Sequence, residues 1–358
     1  MKNPMCWDGV RVGYSPYHKD LIAPGDRRRF VFYANERKLK FELADPLIVY
    51  NIVYLTYGCN LSVWIKYKKN NPNVKVIFEL IDSYLLESAG VLTVFRGVAR
   101  YFLGRESALW FNYKTALRKI ISVADAIVCS TRPQEVDIIA INGNVHVSLD
   151  LFSNDITHHK TSLKSAKKLK LVWEGQAHTV KNLLLLNDVF ERLGDKIELY
   201  IITDSIIKSP FKSFDKETSK ILEALRCKYH FINWDKERFS KNICDADLAI
   251  IPVASDNPMM WNKPENKLLL LWEIGIPTLV SATPAYKHVM DAAGLDLYCL
   301  SSADWVRKIE EYMNSSLEYK EGIVEKANDY LHKFHSKDEI LKNWDRIFNS
   351  LQIKLDKR

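Results

Sequence analysis

The sequence predicts an α/β protein made of two doubly wound domains, each a parallel sheet with helices packed on it. Three observations carry that expectation. Short, nearly continuous apolar runs alternate with longer helical stretches along the whole chain, the pattern of βαβ units. A polar, basic stretch at residues 154–168 interrupts the alternation, which then restarts. The 358 residues are too many for one ordinary core and suit two domains of roughly 150 to 200 residues.

Val10–Tyr14 reads as the opening strand. Leu47–Leu55 and Val74–Ile81 read as buried parallel strands, because their apolar character is nearly unbroken. Thr115–Val123 is helical, Ala126–Ser130 is a further buried strand, and Asn144–Leu149 closes this half. In the second half Leu169–Trp173 is a strand and Lys181–Leu193 a helix with leucines on its inner face. Ile197–Thr203, Tyr229–Ile232, Leu248–Pro252 and Thr278–Ser281 are strands. Lys216–Leu225, Lys267–Ile274, Ala303–Met313 and Lys337–Leu351 are helices. The expected organisation is a first domain over 1–153, a linker over 154–168, a second domain over 169–335, and a closing helix over 336–358 that packs back on the first domain. The two domains are expected to face each other across a cleft, with ligands at the carboxyl ends of the strands.

Composition narrows the function classes. Hydrophobic residues at 47% and charged residues at 27% describe a globular chain, not a disordered one. No apolar run reaches the roughly eighteen residues of a membrane-spanning helix. The first residues lack the apolar core of a signal peptide, so a cytoplasmic location is expected, with the inner face of the cell membrane open to it. The cysteines at 6, 59, 129, 227, 244 and 299 form no C-x-x-C, so they read as reduced and zinc-free. Residues 1–150 hold 20 Lys/Arg against 14 Asp/Glu, a balance of +6, whereas 151–358 hold 31 against 30. The basic half fits an anionic partner such as a membrane surface or a phosphate-bearing acceptor, and equally a solvated surface. Nothing in the sequence points to nucleic acid.

Three stretches of the second half carry chemistry. In Trp173 to Asn182 (WEGQAHTVKN), Gly175 directly after a strand lets the backbone approach a ligand, with Gln176 beside it. Lys181, read as lying just before a helix with Asn182, supplies charge for a diphosphate. In Cys244 to Asp247 (CDAD), Asp-x-Asp suggests a metal, but a helix end followed by a strand entry explains it better and no metal is expected. In Asn262 to Ser281 (NKPENKLLLLWEIGIPTLVS), Pro264 opens an apolar helix that Gly275 closes. That puts Glu265, Asn266 and Lys267 at a helix N-terminus, where a carboxylate or amide accepts ribose hydroxyls and backbone N–H groups face phosphate, with Lys263 just before.

This arrangement resembles the C-terminal domain of the retaining glycosyltransferases of family 4, which have the GT-B fold of two Rossmann-like domains facing across a cleft. The resemblance lies in Gly175 with Lys181-Asn182, in Ala246-Asp247 leading through a strand to Pro252, and in Gly275-x-Pro277 followed by Ser281. Lys263 and Lys267, spaced Lys-x-x-x-Lys before the helix, resemble enzymes of bacterial surface-polysaccharide assembly. Ser122 to Thr131 resembles the family's last helix-to-strand step in the N-terminal domain. The resemblance implies a nucleoside-diphosphate-sugar donor, a glycan or lipid-linked glycan acceptor, retention of configuration, and no metal or other cofactor. Glu265 then serves catalysis, and Thr203 and Trp234 lie near the donor base.

Departures from the family pattern are specific. Its paired glutamates fall on Asn262 and Leu270 here, while Glu265 and Glu273 stand three residues later, close to one helical turn. The arginine of its phosphate loop is absent; Gln176 and His178 stand nearby, leaving Lys181, assisted by Lys267 and Lys263, to neutralise the diphosphate. In the first half, Asp82 ends a buried strand and is expected to orient the acceptor hydroxyl or act as base, with a helix-capping role an equal reading. Tyr14, Ser15 and His18 follow the first strand on the acceptor side. Val91–Trp110, with Arg96, Arg100 and Arg105, reads either as a basic amphipathic helix for a bilayer or as a core helix. Two rival functions stay open: a nucleotide-sugar epimerase of the same fold, and a non-catalytic homologue that binds nucleotide-sugar or glycan.

Overall fold

The computed structural model describes residues 7, 9–85, 91–152, 154–164, 168–208 and 215–352, with the side chains of 91–96 excepted. Cys6, the Arg96 side chain and linker residues 165–167 therefore lie outside the described residues. The chain divides into two compact units: unit 1 is Met1–Leu151, Asn262–Pro264 and Lys337–Arg358, and unit 2 is Phe152–Trp261 and Glu265–Ser336.

Unit 1 holds strands β1 (Val12–Ser15), β2 (Glu42–Leu43), β3 (Ile52–Thr56), β4 (Lys75–Leu80), β5 (Ala126–Cys129) and β6 (Val145–Val147). They form one sheet in the order β2-β1-β3-β4-β5-β6, every pair parallel. The order reverses at β1 and β3, so the turns after these strands flank a topological switch point. Helices α1 (Val31–Glu36), α2 (Leu61–Asn70), α3 (Val91–Phe102), α4 (Tyr113–Val123) and α5 (Arg132–Ile139) connect them. Strand residues alternate between two cores. Val53, Leu55, Val76 and Phe78 share one with Trp64 of α2 and Ile120 of α4. Ile52, Tyr54 and Ile77 share the other with Tyr33 of α1.

The strand expected at Leu47–Leu55 begins only at Ile52; Leu47 is 90% exposed in the preceding loop. An apolar run cannot by itself show where its burial starts. The helical segment Asp26–Glu36 was not expected, because a run of three arginines carries no apolar periodicity. Arg29 in that run is nevertheless fully buried. Its Nε donates to Glu79 Oε1 (2.5 Å), and its Nη1 donates to Asp150 Oδ1 (3.1 Å) and to the Ser148 carbonyl (2.9 Å). Tyr54 OH donates to the same Glu79 oxygen (2.9 Å).

Unit 2 holds β7 (Leu169–Glu174), β8 (Ile197–Thr203), β9 (Ile206–Ile207), β10 (Lys216–Glu217), β11 (Tyr229–Asn233), β12 (Leu248–Ile251), β13 (Thr278–Ser281) and β14 (Tyr298–Cys299). The sheet order β11-β8-β7-β12-β13-β14, all parallel, is the 3-2-1-4-5-6 order of dinucleotide-binding sheets. Its reversal lies between β7 and β12. The helices are α6 (Asn187–Leu193), α7 (Thr218–Leu222), α8 (Phe239–Cys244), α9 (Pro258–Trp261), α10 (Asn266–Ile274), α11 (Pro284–Ala292), α12 (Ser302–Asn314) and α13 (Leu317–Phe334). The 18-residue α13 was missed by the sequence reading because its buried stripe is thin and includes Lys320 beside Ile323, Ala327 and Leu331. The last helix, α14 (Lys337–Ser350), belongs to unit 1; its Trp344 and Phe348 stack on Tyr33, with centroids 5.5 and 5.0 Å away.

Residues 154–164, expected as a linker, are instead held on unit 2. His159 Nδ1 donates to the Glu273 carbonyl (2.8 Å), and Lys160 Nζ donates to the carbonyls of Cys244 (2.9 Å) and Ala246 (2.6 Å). The basic side chains thus satisfy carbonyls at the C-terminal ends of α8 and α10, where the helix dipoles favour positive charge. Gly275 closes α10 at φ +91°, and a Cβ there would lie 3.4 Å from the Lys160 carbonyl oxygen. Gly275→Ala is therefore expected to destabilise the protein by about 1–2 kcal/mol, read as a lower urea midpoint at unchanged m-value.

Candidate functional site

At the carboxyl edge of the unit 2 sheet the turn after β7 meets Lys267 of α10. β7 ends at Glu174 and is followed by Gly175, whose N–H donates to the Ile202 carbonyl of β8 (3.2 Å). Across this turn, at the start of α10, stands Lys267. Its Nζ donates to the Glu174 carbonyl (2.5 Å) and lies 4.9 Å from the centroid of the Trp173 ring, which is buried in the core. A Cβ on Gly175 would meet that ammonium at 2.4 Å. A side chain here would compete with the lysine end for the same space. A cation over an indole face, one turn from a helix N-terminus at the switch point of the sheet, is suited to a diphosphate.

Glu265 is the N-cap of α10, and Asn266 is its first residue. Burial and the nearby Glu265 carboxylate push the Tyr330 phenol up to about 12 and raise Tyr286 as well. The Glu265 charge is thus felt at tyrosines of α11 and α13, helices the sequence did not suggest. Glu273 lies at the opposite end of α10, about 12 Å along the helix axis, and its backbone carbonyl holds His159. It forms no pair with Glu265, and Leu270, at the family's position, is buried in the core.

Thr203 ends β8 with its hydroxyl fully buried and without a hydrogen-bond partner, while its carbonyl accepts from the Trp234 N–H (3.0 Å). Thr203 thus ends the strand adjacent to β7, whereas Trp234 follows β11 and stacks its ring on Phe239, with centroids 5.8 Å apart. Ser281 Oγ accepts from the Val253 N–H (2.9 Å), fixing the turn after β12 on the other side of the switch point.

Lys181 departs from its expected place. The helix starts at Ala177 with Gln176 as its N-cap, as a 3-10 segment running to Leu186. Lys181 is exposed in the middle of that segment and Asn182 is buried, so neither stands at its N-terminus. Asp247 accepts from the Lys170 N–H (2.8 Å), and its carbonyl accepts from Tyr312 OH (2.9 Å), a structural use of the Asp-x-Asp segment. Among the described residues no group of His, Cys, Asp and Glu is arranged to hold a metal ion.

In unit 1, Tyr14 is a correction. Read as an acceptor-side residue, it is fully buried, packed on Phe30 (4.6 Å between centroids), and its hydroxyl donates to Asp26. Asp26 also accepts from the N–H groups of Tyr17 (2.9 Å) and His18 (3.0 Å), so it pins the turn after β1. Ser15 is half-buried there, and exposed His18 pairs with Asp20 (2.6 Å). Asp82 follows β4; Tyr84 OH donates to it (3.3 Å), Lys263 Nζ stands 3.9 Å away, and Gln134 Nε2 donates to its carbonyl (2.9 Å). Asn262 and Lys263 are grouped with unit 1, where Ser83 Oγ donates to the Asn262 carbonyl (3.3 Å). Lys267 is grouped with unit 2.

No protein-family model matches the chain, and no curated protein matches it in sequence. Solved structures do match in fold. TarM of S. aureus aligns over 83% of this chain at 13% identity and TM-score 0.55; the chain spans about half (55%) of that structure's length. HepE of Anabaena aligns at 11% identity and TM-score 0.58, covering 90% of this chain and 88% of its own. A glycosyltransferase of Rickettsia africae aligns at 9% identity and TM-score 0.56, with the same coverage of both chains. The chain has the GT-B fold. In GT-B terms, unit 1 is the N-terminal and unit 2 the C-terminal Rossmann-like domain. At these identities the likeness speaks for the fold alone.

Proposed function

We propose that the chain is a glycosyltransferase that moves a sugar from a nucleoside diphosphate to a hydroxyl of a glycan or lipid-linked glycan. The observation that carries this reading is Lys267, held over Gly175 and Trp173 at the switch point of unit 2. Structures of TarM and HepE contain UDP, which supports the same ligand class here. The roles follow from charge and position. Lys267 receives the diphosphate, Lys181 adds long-range charge, and Glu265 with Asn266 accepts sugar or ribose hydroxyls. Thr203 and Trp234 line the base side. As the sugar–phosphate bond breaks, negative charge accumulates on the leaving diphosphate, and a fixed ammonium stabilises that charge more than the ground state. The positive charge that a bound metal provides in other enzymes is thereby supplied by this chain. Asp82 and the turn carrying Ser15 and His18 orient the acceptor hydroxyl; retention of configuration and a place in surface-polysaccharide assembly follow the family resemblance.

The test is a thermal-shift screen against UDP, GDP, CDP and dTDP and their sugars. One diphosphate at about 100 times its Kd should stabilise the protein by roughly 2.7 kcal/mol, a shift of several degrees. Absence of any shift would sink the donor-site reading. Selective stabilisation without sugar transfer would assign the chain to the binding-only class, which Leu270, where the family has a glutamate, favours. Interconversion of free nucleotide-sugar without acceptor would assign an epimerase.

A further inference from the structure

We propose that unit 1 binds a cluster of about two or three internal water molecules at the carboxyl end of its sheet. Six polar side-chain atoms stand there, each buried and each without a hydrogen-bond partner among the described residues: Tyr17 OH, Arg29 Nη2, Thr56 Oγ1, Glu79 Oε2, Ser130 Oγ and Ser148 Oγ.

Strand register brings them to one face. Thr56 of β3 pairs with Glu79 of β4, and Glu79 with Val128 of β5, so Thr56 and Glu79 point to the same side. Ser130 comes two residues after Val128, and Ser148 two after its β6 partner His146, so both continue that side. Arg29 reaches across it, with Nε on Glu79 and Nη1 on the Ser148 carbonyl, which sets Nη2 within the row. Tyr17 joins from the turn after β1. Burial first, then the Glu79 carboxylate, hold its phenol well above the usual value, with Arg29 opposing, so it shares their surroundings. Exposed Gly58 leaves room beside the Thr56 hydroxyl: a Cβ there would lie 3.5 Å from Thr56 Oγ1 and 3.6 Å from the Pro16 carbonyl.

The chemistry of the six atoms selects the occupant. Arg29 Nη2 only donates, the Glu79 carboxylate only accepts, and the four hydroxyls do both. An occupant must therefore donate and accept within a very small volume. Arg29 already faces two carboxylates, Glu79 and Asp150, so an added anion would be repelled, and an added cation would meet the guanidinium. A neutral molecule that makes about three hydrogen bonds satisfies both conditions, and water is that molecule. A polar atom left dry in the interior is strongly destabilising, so six at one edge demand a partner. The inference rests on unit 1 alone and is independent of the donor-site reading.

The test deletes one hydroxyl at each end of the row while keeping the side chain close to its shape, in Thr56→Val and in Ser148→Ala. Where the hydroxyl holds a water, deletion takes a partner from that water, and the melting midpoint should fall by roughly 2–4 °C. Where the hydroxyl is dry, deletion removes an unpaired polar atom and the midpoint rises. Oxygen-17 relaxation dispersion of the solvent counts waters held longer than the protein tumbles. Its amplitude should drop in each variant by on the order of one water. A crystal structure of the wild-type chain should show waters bonded to Arg29 Nη2 and Glu79 Oε2. Raised or unchanged midpoints, an unchanged dispersion amplitude, or direct bonds among the six side chains in the crystal would each overturn the proposal. So would a sugar or buffer molecule in their midst, which would assign the site to that ligand instead.

Discussion

Lys267→Ala is expected to lower kcat/KM for sugar transfer by roughly a hundredfold or more, with most of the loss in kcat. The reason is the timing of charge. Before bond cleavage the donor diphosphate already carries charge that water and backbone N–H groups satisfy. During cleavage the leaving oxygen gains more, and only a cation already in place stabilises it without reorganisation. Lys267 is in place, fixed by the Glu174 carbonyl and the Trp173 face. The hydrogen bond to Glu174 and the cation–π contact with Trp173 are each worth about 1 kcal/mol, so the variant should remain folded and purifiable. Lys181→Ala is the contrasting variant: its ammonium is exposed and mid-helix, so its effect should be several-fold at most and shrink with salt. Gly175→Ala tests the same place from the other side. Its Cβ would claim the position of Nζ and push the flexible lysine end aside, giving a Lys267-like defect in a folded protein. A Lys181→Ala defect larger than that of Lys267→Ala would reverse the assignment.

Much of this site was legible because its residues sit where strands end. Gly175 after an apolar run and Pro264 before a leucine-rich helix are punctuation that local chemistry dictates. The partnership of Gly175 with Lys267 was not legible. It joins residues 92 positions apart, and only the parallel order β7-β12 beside α10 brings them together. Lys181 was misplaced for a related reason. Leucines at 183 to 186 announce a helix but do not fix its first turn, and the 3-10 segment starts at Ala177. Tyr14 shows the opposite error: a strand-end tyrosine reads as available until its neighbours Phe30, Phe41 and Tyr54 are seen to enclose it.

Arg29→Ala is expected to cost about 3–5 kcal/mol of stability. The guanidinium is fully buried, and removing it leaves Glu79 charged and without its cation in the middle of the unit 1 sheet. Burial already raises the Glu79 carboxyl, and Arg29 is the main influence pulling it down. In the variant the carboxyl therefore rises further. A carboxyl whose folded value lies above its unfolded value holds its proton more tightly when folded, so stability is gained as pH falls and lost as pH rises. The deficit of Arg29→Ala against wild type should accordingly narrow as pH falls from neutral toward the unfolded value near 4.5. Pairing the change with Glu79→Gln removes the stranded charge, leaving an amide that still accepts from Tyr54, and should recover more than half of the loss at pH 7. Urea unfolding of the single and double variants across that pH range measures both effects. A deficit that stays flat with pH would mean that Arg29 acts through packing and its bonds to Asp150 and the Ser148 carbonyl, not through the charge on Glu79.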